Sequence, residues 1–261
     1  MQETQLSPRI ASEVSGIDAR HLTAASFERL AEVFHRRGVL VLRDQHLNAD
    51  ELLAFSSHWG TPWLGPMLKA TEGQTSVATI RNRGKTGTVT EYWHCDTSFS
   101  SAPPAITMLS AAQLPSVGGD TMWCDQYGLY EAMSDGMKRM LSGLRAVHYD
   151  KQRHKQLEGR SPSDESAAHP VIRTHPVTGR KSLFISGQAE HFEGMTREES
   201  RPLLDWLLGL LGQPDYVYRH RWRVGDLLMW DNRCTTHYAI HDYGDHPRFL
   251  HRVTLQGDIP R

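Results

Sequence analysis

The stretch Trp93-His94-Cys95-Asp96-Thr97 places a histidine and an aspartate two residues apart. In an extended strand alternate side chains share a face, so His94 and Asp96 project together, roughly 7 Å apart at the backbone. One imidazole and one carboxylate on one face are two thirds of the facial triad that holds non-haem Fe(II) with open positions. The same spacing occurs again in His148-Tyr149-Asp150, so spacing alone does not choose between them. Context does. The second copy runs into Lys151-Gln152-Arg153-His154-Lys155, which reads as a solvated charge run. The first is framed by Tyr92, Trp93 and Phe99 and followed by Pro103-Pro104 and an apolar strand, the dry wall that a metal site needs.

Working outward, the 261 residues are 39% hydrophobic and 23% charged, enough for a full core in one β-rich domain over 1–261. A formal net charge of −1 gives no field for nucleic acid. Cys95, Cys124 and Cys234 are odd in number and lack a CxxC spacing, which argues for a reducing compartment and against thiolate zinc. No leader pattern opens the chain and no stretch has the apolar length of a membrane span. A cytoplasmic protein is expected.

Along the chain, residues 5–10 read as a short strand. Apolar spacing from Ala25 to Arg37 predicts a helix ended by Gly38. Val39-Leu40-Val41-Leu42 is a buried strand, and Asn48 caps a second helix. Arg81 to Thr90 is polar and Gly-containing, and reads equally as a lid or a surface loop. Ala105–Ala111 and Thr121–Cys124 are strands, with Gly118-Gly119 read as the hairpin between them. Asp135 is placed as the cap of a helix turning Met137, Met140, Leu141 and Leu144 inward. Residues 151–168 hold almost no large apolar side chains and read as a flexible insertion. Thr196-x-x-Glu199 is a capping box, but Pro202 lies deep for it, which favours Ser200 as the cap. Leu227–Trp230 is a buried strand, Asp231-Asn232-Arg233 a turn, and a last hairpin is expected at 244–247. Many short strands with helices outside them predict a mainly β fold with flanking helices, a jelly-roll-like core.

Five histidines near the C-terminus are candidates for the third ligand: His220, His237, His241, His246 and His251. His237 is favoured because it follows a buried strand and turn, where a side chain is held rigidly. His220 sits between two arginines, and His246 at a turn tip. Arg248 and Arg252 are four residues apart on one strand, roughly 13 Å, too far to clamp one carboxylate but suited to two anions along one cavity.

Taken in order, Trp93-His94-Cys95-Asp96, Pro103-Pro104, Gly118-Gly119-Asp120-Thr121, Gly225-Asp226-Leu227, Trp230-Asp231-Asn232-Arg233, His237 and Arg248-x-x-x-Arg252 resemble the Fe(II)/2-oxoglutarate-dependent taurine and 2,4-dichlorophenoxyacetate dioxygenases. The resemblance runs over nearly the whole chain. It implies a double-stranded β-helix (cupin-like) core, with Fe(II) on His94, Asp96 and His237. It also implies that Thr121 and Arg248 hold the distal carboxylate of 2-oxoglutarate and that Trp230 walls the cavity. Arg252 would meet the anionic group of the substrate, with Thr90 and Thr97 as further candidate contacts. The implied reaction uses O2 to hydroxylate a C–H bond while 2-oxoglutarate leaves as succinate and CO2. Hydroxylation beside oxygen or sulfur then cleaves the C–O or C–S bond.

The implied partner is a small organic acid, aryloxyalkanoate- or sulfonate-like, with an apolar or aromatic body. The loop Trp63-Leu64-Gly65-Pro66 lacks the histidine that the taurine enzyme uses for its sulfonate, and Thr90 replaces a substrate-contacting polar residue. Both departures point away from taurine. A homo-oligomer is expected. Two rival readings share the donor set: a cupin-type metal-dependent isomerase or hydrolase without 2-oxoglutarate, and a non-catalytic organic-acid-binding protein. The first would not need Arg248 or Thr121, and the complete ligand set argues against the second, since decay of a site usually removes a ligand.

Overall fold

Helices start where the sequence supplies side-chain acceptors and strands run where β-branched and apolar residues alternate. In the computed structural model, which describes residues 1–65, 68–81, 90–150 and 166–261, the elements are β1 (Gln2–Gln5), β2 (Ser12–Ser15), α1 (Ala24–Arg37), β3 (Val39–Leu42), α2 (Ala49–Ser57), β4 (Pro62–Trp63), β5 (Ala78–Arg81), β6 (Ile106–Gln113), β7 (Thr121–Asp125), α3 (Gln126–Ala132), α4 (Asp135–Leu141), β8 (Arg145–Tyr149), β9 (Ser166–Pro170), β10 (Ile172–Thr174), β11 (Lys181–Leu183), β12 (Ala189–Phe192), α5 (Arg197–Leu210), β13 (Val217–His220), β14 (Leu227–Asp231), β15 (Thr235–Ala239) and β16 (Phe249–Leu255). Thr23 with Ser26 and Asn48 with Glu51 form reciprocal capping boxes at α1 and α2. Gly38 closes α1 at φ 68°, a left-handed conformation that a residue without Cβ adopts at least cost.

The large sheet has the order β1-β2-β3-β14-β6-β16-β4, with β5 also on β16. A smaller sheet, β13-β7-β15, faces it. The period of two decides what lies between them. Val39, Val41, Leu109, Ala111, Leu228, Trp230 and Leu250 point inward and meet Trp123 and Tyr218 of the small sheet and Trp222 just beyond β13. Their neighbours Leu40, Leu42, Ile106, Met108, Leu227, Met229, Val253 and Leu255 point the other way, onto Leu30, Phe34, Leu52 and Phe55 of α1 and α2. Each such fully buried side chain contributes about 1.5–3 kcal/mol. A third cluster lies under α5, where Leu204 and Leu207 meet Leu183, Ile185 and Phe192.

The core is therefore the expected jelly roll, but its connections differ from a meander. β6 pairs with β14 and β16, whereas β7 pairs with β13 and β15. Gly118-Gly119 therefore does not turn a hairpin; it carries the chain from one sheet to the other. The same holds for 244–247, because β15 and β16 belong to opposite sheets. A turn residue signals that the chain reverses, not which strand it then pairs with.

Other local readings also change. Residues 6–10 are not strand; Pro8 and the positive φ of Ala11 (65°) break the ladder, and Arg37 bonds the carbonyls of Ser7, Ile10 and Ala11 instead. Ser134, not Asp135, caps α4, its Oγ accepting from the Met137 amide at 3.3 Å, and Met140 is exposed. Thr196, not Ser200, caps α5. Pro202 is tolerated inside it because Glu198, whose carbonyl loses a donor, lies on the exposed side where water replaces the bond. The expected insertion at 151–168 falls mainly outside the described residues, but Ser166–Ala168 belong to β9 and pair with β8. The lid expected at 81–90 also lies mostly outside them, beyond Arg81 in β5. No described helix is long and apolar enough to cross a membrane.

Candidate active site

Backbone pairing brings the far ends of the chain together. The His94 amide donates to the His237 carbonyl at 2.9 Å and the His237 amide donates to the His94 carbonyl at 2.8 Å, an isolated antiparallel bridge. His237 lies opposite Trp123 in the β15–β7 register, so its ring faces the space between the sheets. The two imidazoles approach to 4.1 Å between centroids. His94 Nδ1 is 2.8 Å from the Tyr92 carbonyl. A carbonyl only accepts, so Nδ1 carries the hydrogen and the Nε2 lone pair is left for a cation.

Asp96 completes the group. Its Oδ1 is 3.6 Å from His237 Nε2, while Oδ2 accepts from Thr107 Oγ1 and from Arg252 Nη2, both at 2.6 Å. One ligand atom from each of His94, Asp96 and His237 falls within 4.8 Å of the others, and all three residues are buried. Burial presses both histidines toward the neutral form, His237 further because His94 is beside it. Burial alone would raise the Asp96 carboxyl; Arg252 and then His237 outweigh it and hold it below the ordinary carboxylate range. Two neutral imidazoles and one ionised carboxylate fit a divalent metal of the facial-triad kind.

Farther along the same inter-sheet space, Arg248 is partly buried, with a buried Nε that has no partner and an Nη2 that reaches only the Gly119 carbonyl at 3.5 Å, and no carboxylate pairs with it among the described residues. Burial lowers its pKa, opposed by Tyr243. The rings of Tyr243 and Trp222 stand 5.8 and 5.9 Å from its guanidinium. Trp222 Nε1 donates to Thr121 Oγ1 at 3.1 Å, which ties Thr121 to the same corner. Gly119 keeps the corner open, since a Cβ there would lie 3.3 Å from Arg248 Nε. A partly buried cation without a counter-ion fits the carboxylate of a bound acid.

Residues 2–254 match the profile of the family described as taurine catabolism dioxygenase TauD, TfdA. The chain belongs to the TauD/TfdA dioxygenase family. It is 36% identical to the alpha-ketoglutarate-dependent 2,4-dichlorophenoxyacetate dioxygenase of Cupriavidus pinatubonensis, over 97% of this chain and 96% of that one. It is 30% identical to an alkylsulfatase of Acinetobacter baylyi, over 99% and 86%. A crystal structure of a taurine dioxygenase from Burkholderia xenovorans superposes with a TM-score of 0.87 at 30% identity, over 99% and 92% of the two chains. AAD-2 in complex with Mn(II) and N-oxalylglycine superposes equally well, TM-score 0.87 at 29% identity, over 99% and 98%. An enzyme of the Fe(II)-, 2-oxoglutarate- and O2-using class, as expected from the sequence, is what TauD/TfdA membership gives.

Within this family member the other candidates separate. Trp230 stands 4.8 Å from the His237 ring and 6.0 Å from the Arg252 guanidinium. Arg252, expected nearer the metal and close to the anionic group of the substrate, pairs with Asp96; its Nε has no partner. Arg248 precedes β16 and a register shift falls between Phe249 and Leu250, so regular alternation does not relate it to Arg252. Thr97 has φ 40°, rare for a β-branched residue, and a buried Oγ1 without a hydrogen-bond partner. Thr90 is a partly buried turn residue with no hydrogen bond to the cluster.

Of the rejected histidines, His220 is locked between the Tyr218 hydroxyl at 2.9 Å and Asp226 at 3.1 Å, and His241 is 3.7 Å from Glu91. His148 and Asp150 are buried rather than part of a solvated run; His148 Nδ1 meets Ser98 Oγ at 2.9 Å and its ring stacks on Phe184. His35, His175 and Asp231 form a second group of metal-like composition. Arg233 already holds both Asp231 oxygens, at 2.8 and 2.6 Å. His175 Nδ1 accepts from the amides of Val177 and Thr178, so its Nε2 donates to Asp231 and no lone pair is left. That group is structural. The sequence reading did not single out Thr107, Asn232, Trp222 or Tyr243. A threonine at inward parity on an otherwise apolar strand was the available signal for Thr107.

Proposed function

We propose that His94, Asp96 and His237 hold Fe(II), that Arg248 and Thr121 hold the distal carboxylate of 2-oxoglutarate, and that the enzyme hydroxylates a small organic acid. The observation that carries this reading is Arg248, with a buried, unpartnered Nε and no carboxylate partner among the described residues, in a chain that also assembles a His-Asp-His donor set. An isomerase or hydrolase of the cupin type would use the donor set but has no need of that cation. When bound, Fe(II) with 2-oxoglutarate and O2 supplies the oxidising equivalents for C–H hydroxylation, releasing succinate and CO2.

The chain's own residues do the positioning. Arg248 supplies a planar fork to the keto acid, and the Gly119 backbone lets it approach. Arg252 uses one Nη on Asp96 and keeps further N–H groups for the acid group of the substrate. Thr97 Oγ1 offers an unused donor at the cleft, and Trp230, Trp222 and Trp123 exclude water. The substrate proposed is an aryloxyalkanoate, alkyl sulfate or sulfonate, in keeping with the named relatives. Hydroxylation at the carbon beside the heteroatom would break the C–O or C–S bond. Self-association, as expected from the sequence, is proposed with it and is read by light scattering.

The direct test is an anaerobic titration with Fe(II) and then 2-oxoglutarate. A weak visible charge-transfer band on adding the keto acid is expected. Folded, iron-loaded protein that gives no band would sink the proposal.

Gly119→Ala provides a second test. At φ 73° an alanine costs about 1–2 kcal/mol, and its Cβ would lie 3.3 Å from Arg248 Nε. The expected result is a 2-oxoglutarate requirement raised severalfold and up to about tenfold, since the Cβ forces Tyr243 and Arg248 back by tenths of an ångström and a full misplacement of about 1 Å would cost about 100-fold. An unchanged requirement would place the keto acid elsewhere.

A further inference from the structure

Asp96 is reached by a chain of buried hydrogen bonds whose direction is fixed at its far end. Trp230 Nε1 is 3.0 Å from Asn232 Oδ1, Asn232 Nδ2 is 2.9 Å from Thr107 Oγ1, and Thr107 Oγ1 is 2.6 Å from Asp96 Oδ2. An indole N–H can only donate, so the amide oxygen of Asn232 must face Trp230 and its NH2 must face Thr107. The Thr107 oxygen therefore accepts from Asn232, and its own proton has one place to go, the Asp96 carboxylate. The fold holds this order rigidly. Thr107 and Trp230 are direct cross-strand partners on β6 and β14, the Asn232 amide is bonded to the Ala105 carbonyl at 2.8 Å, and all three side chains are within 1% of full burial.

We propose that this relay is a positioning device: Trp230 and Asn232 set the direction of the Thr107 hydroxyl, and Thr107 keeps Asp96 Oδ2 off the metal so that Oδ1 alone faces it. The inference rests on the proposed metal site. A carboxylate that bound through both oxygens would fill a position that reactants need. Arg252 also bonds Oδ2, but its side chain is 16% exposed and its other donors face the cleft, so a substrate acid competes for it. Thr107 is fully buried on a central strand and has no competing partner. The Asp96 orientation is thus kept by Thr107 when Arg252 turns to another anion.

Thr107→Val keeps the shape and removes the donor; Thr107→Ser keeps the donor. Mn(II) affinity is measured on the full chain by titration, with thermal unfolding of the metal-free protein as the control for folding. Thr107→Val is expected to bind Mn(II) about 10–100-fold more weakly than the parent. Thr107→Ser should stay within about threefold of the parent. A crystal structure of Mn(II)-loaded Thr107→Val should show Asp96 turned, with both oxygens on the ion. If Thr107→Val does not fold, Thr107→Cys, whose thiol is a weak donor, replaces it with the same expectation. A parent that binds Mn(II) alongside a Thr107→Val that binds equally well, with one Asp96 oxygen on the ion, overturns this inference alone. A parent that binds no divalent metal overturns the site reading and this inference together.

Discussion

Asp96→Ala is expected to abolish Fe(II) and Mn(II) binding and to destabilise the metal-free protein. The two effects have separate causes. The first is loss of the sole anionic donor: two neutral imidazoles remain, and an affinity fall of well over about 100-fold follows, since disturbing a mere supporting contact costs about 10–100-fold. The second comes from the contacts that Asp96 leaves behind. Arg252 and the Thr107 hydroxyl both donate to Oδ2, and truncation leaves a largely buried guanidinium without its counter-ion. That costs about 1–3 kcal/mol, less than for a fully buried pair because Arg252 is partly exposed. The sign with pH follows from the depressed carboxyl. The pair stabilises the metal-free protein above the unfolded-state pKa of about 4, and that contribution is lost as acid protonates Asp96. Asp96→Ala should flatten this acid limb. Metal titration and unfolding at several pH values read both effects; a variant that still binds Mn(II) at parental affinity would remove Asp96 from the site.

Much of this arrangement was legible in residue order. His94 and Asp96 were paired on the assumption of an extended strand, whereas the chain makes only a single bridge at His94 and turns at Asp96, so the two side chains converge through that turn; His237 stood out because a buried strand and a turn precede it. The residue types were legible; the backbone that joins them was not. Pairing was not legible: nothing around Gly118-Gly119 says that β7 leaves the sheet of β6, because that depends on which strands β14 and β16 have claimed. The contact of Arg252 with Asp96 was hidden for the same reason, since it joins β16 to a sequence-distant turn. The relay was hidden more deeply. Asn232 reads as a turn residue and Thr107 as a strand former, and only their shared burial with Trp230 gives the three side chains a direction.

The second large effect separates the two arginines. Arg248→Ala is expected to raise the 2-oxoglutarate requirement by about 100–1000-fold, because truncating one member of a buried, hydrogen-bonded charge pair costs about 3–4 kcal/mol. Among the described residues no second cation flanks it: Thr121 contributes one hydroxyl, and that oxygen already accepts from Trp222. Arg248→Lys should recover only part of the loss, since an ammonium is a point charge without the planar fork. Arg252→Ala should act differently. Thr107 still holds Asp96 Oδ2, so metal affinity falls by no more than about tenfold. The keto-acid requirement stays near parental, and the main loss is in substrate KM, where the acid group has lost its partner. Measuring 2-oxoglutarate and substrate dependence for both variants gives two ratios that should run in opposite directions. Equal losses in both columns would mean that the two guanidiniums serve one anion, and that the division of the cleft into a keto-acid end and a substrate end is wrong.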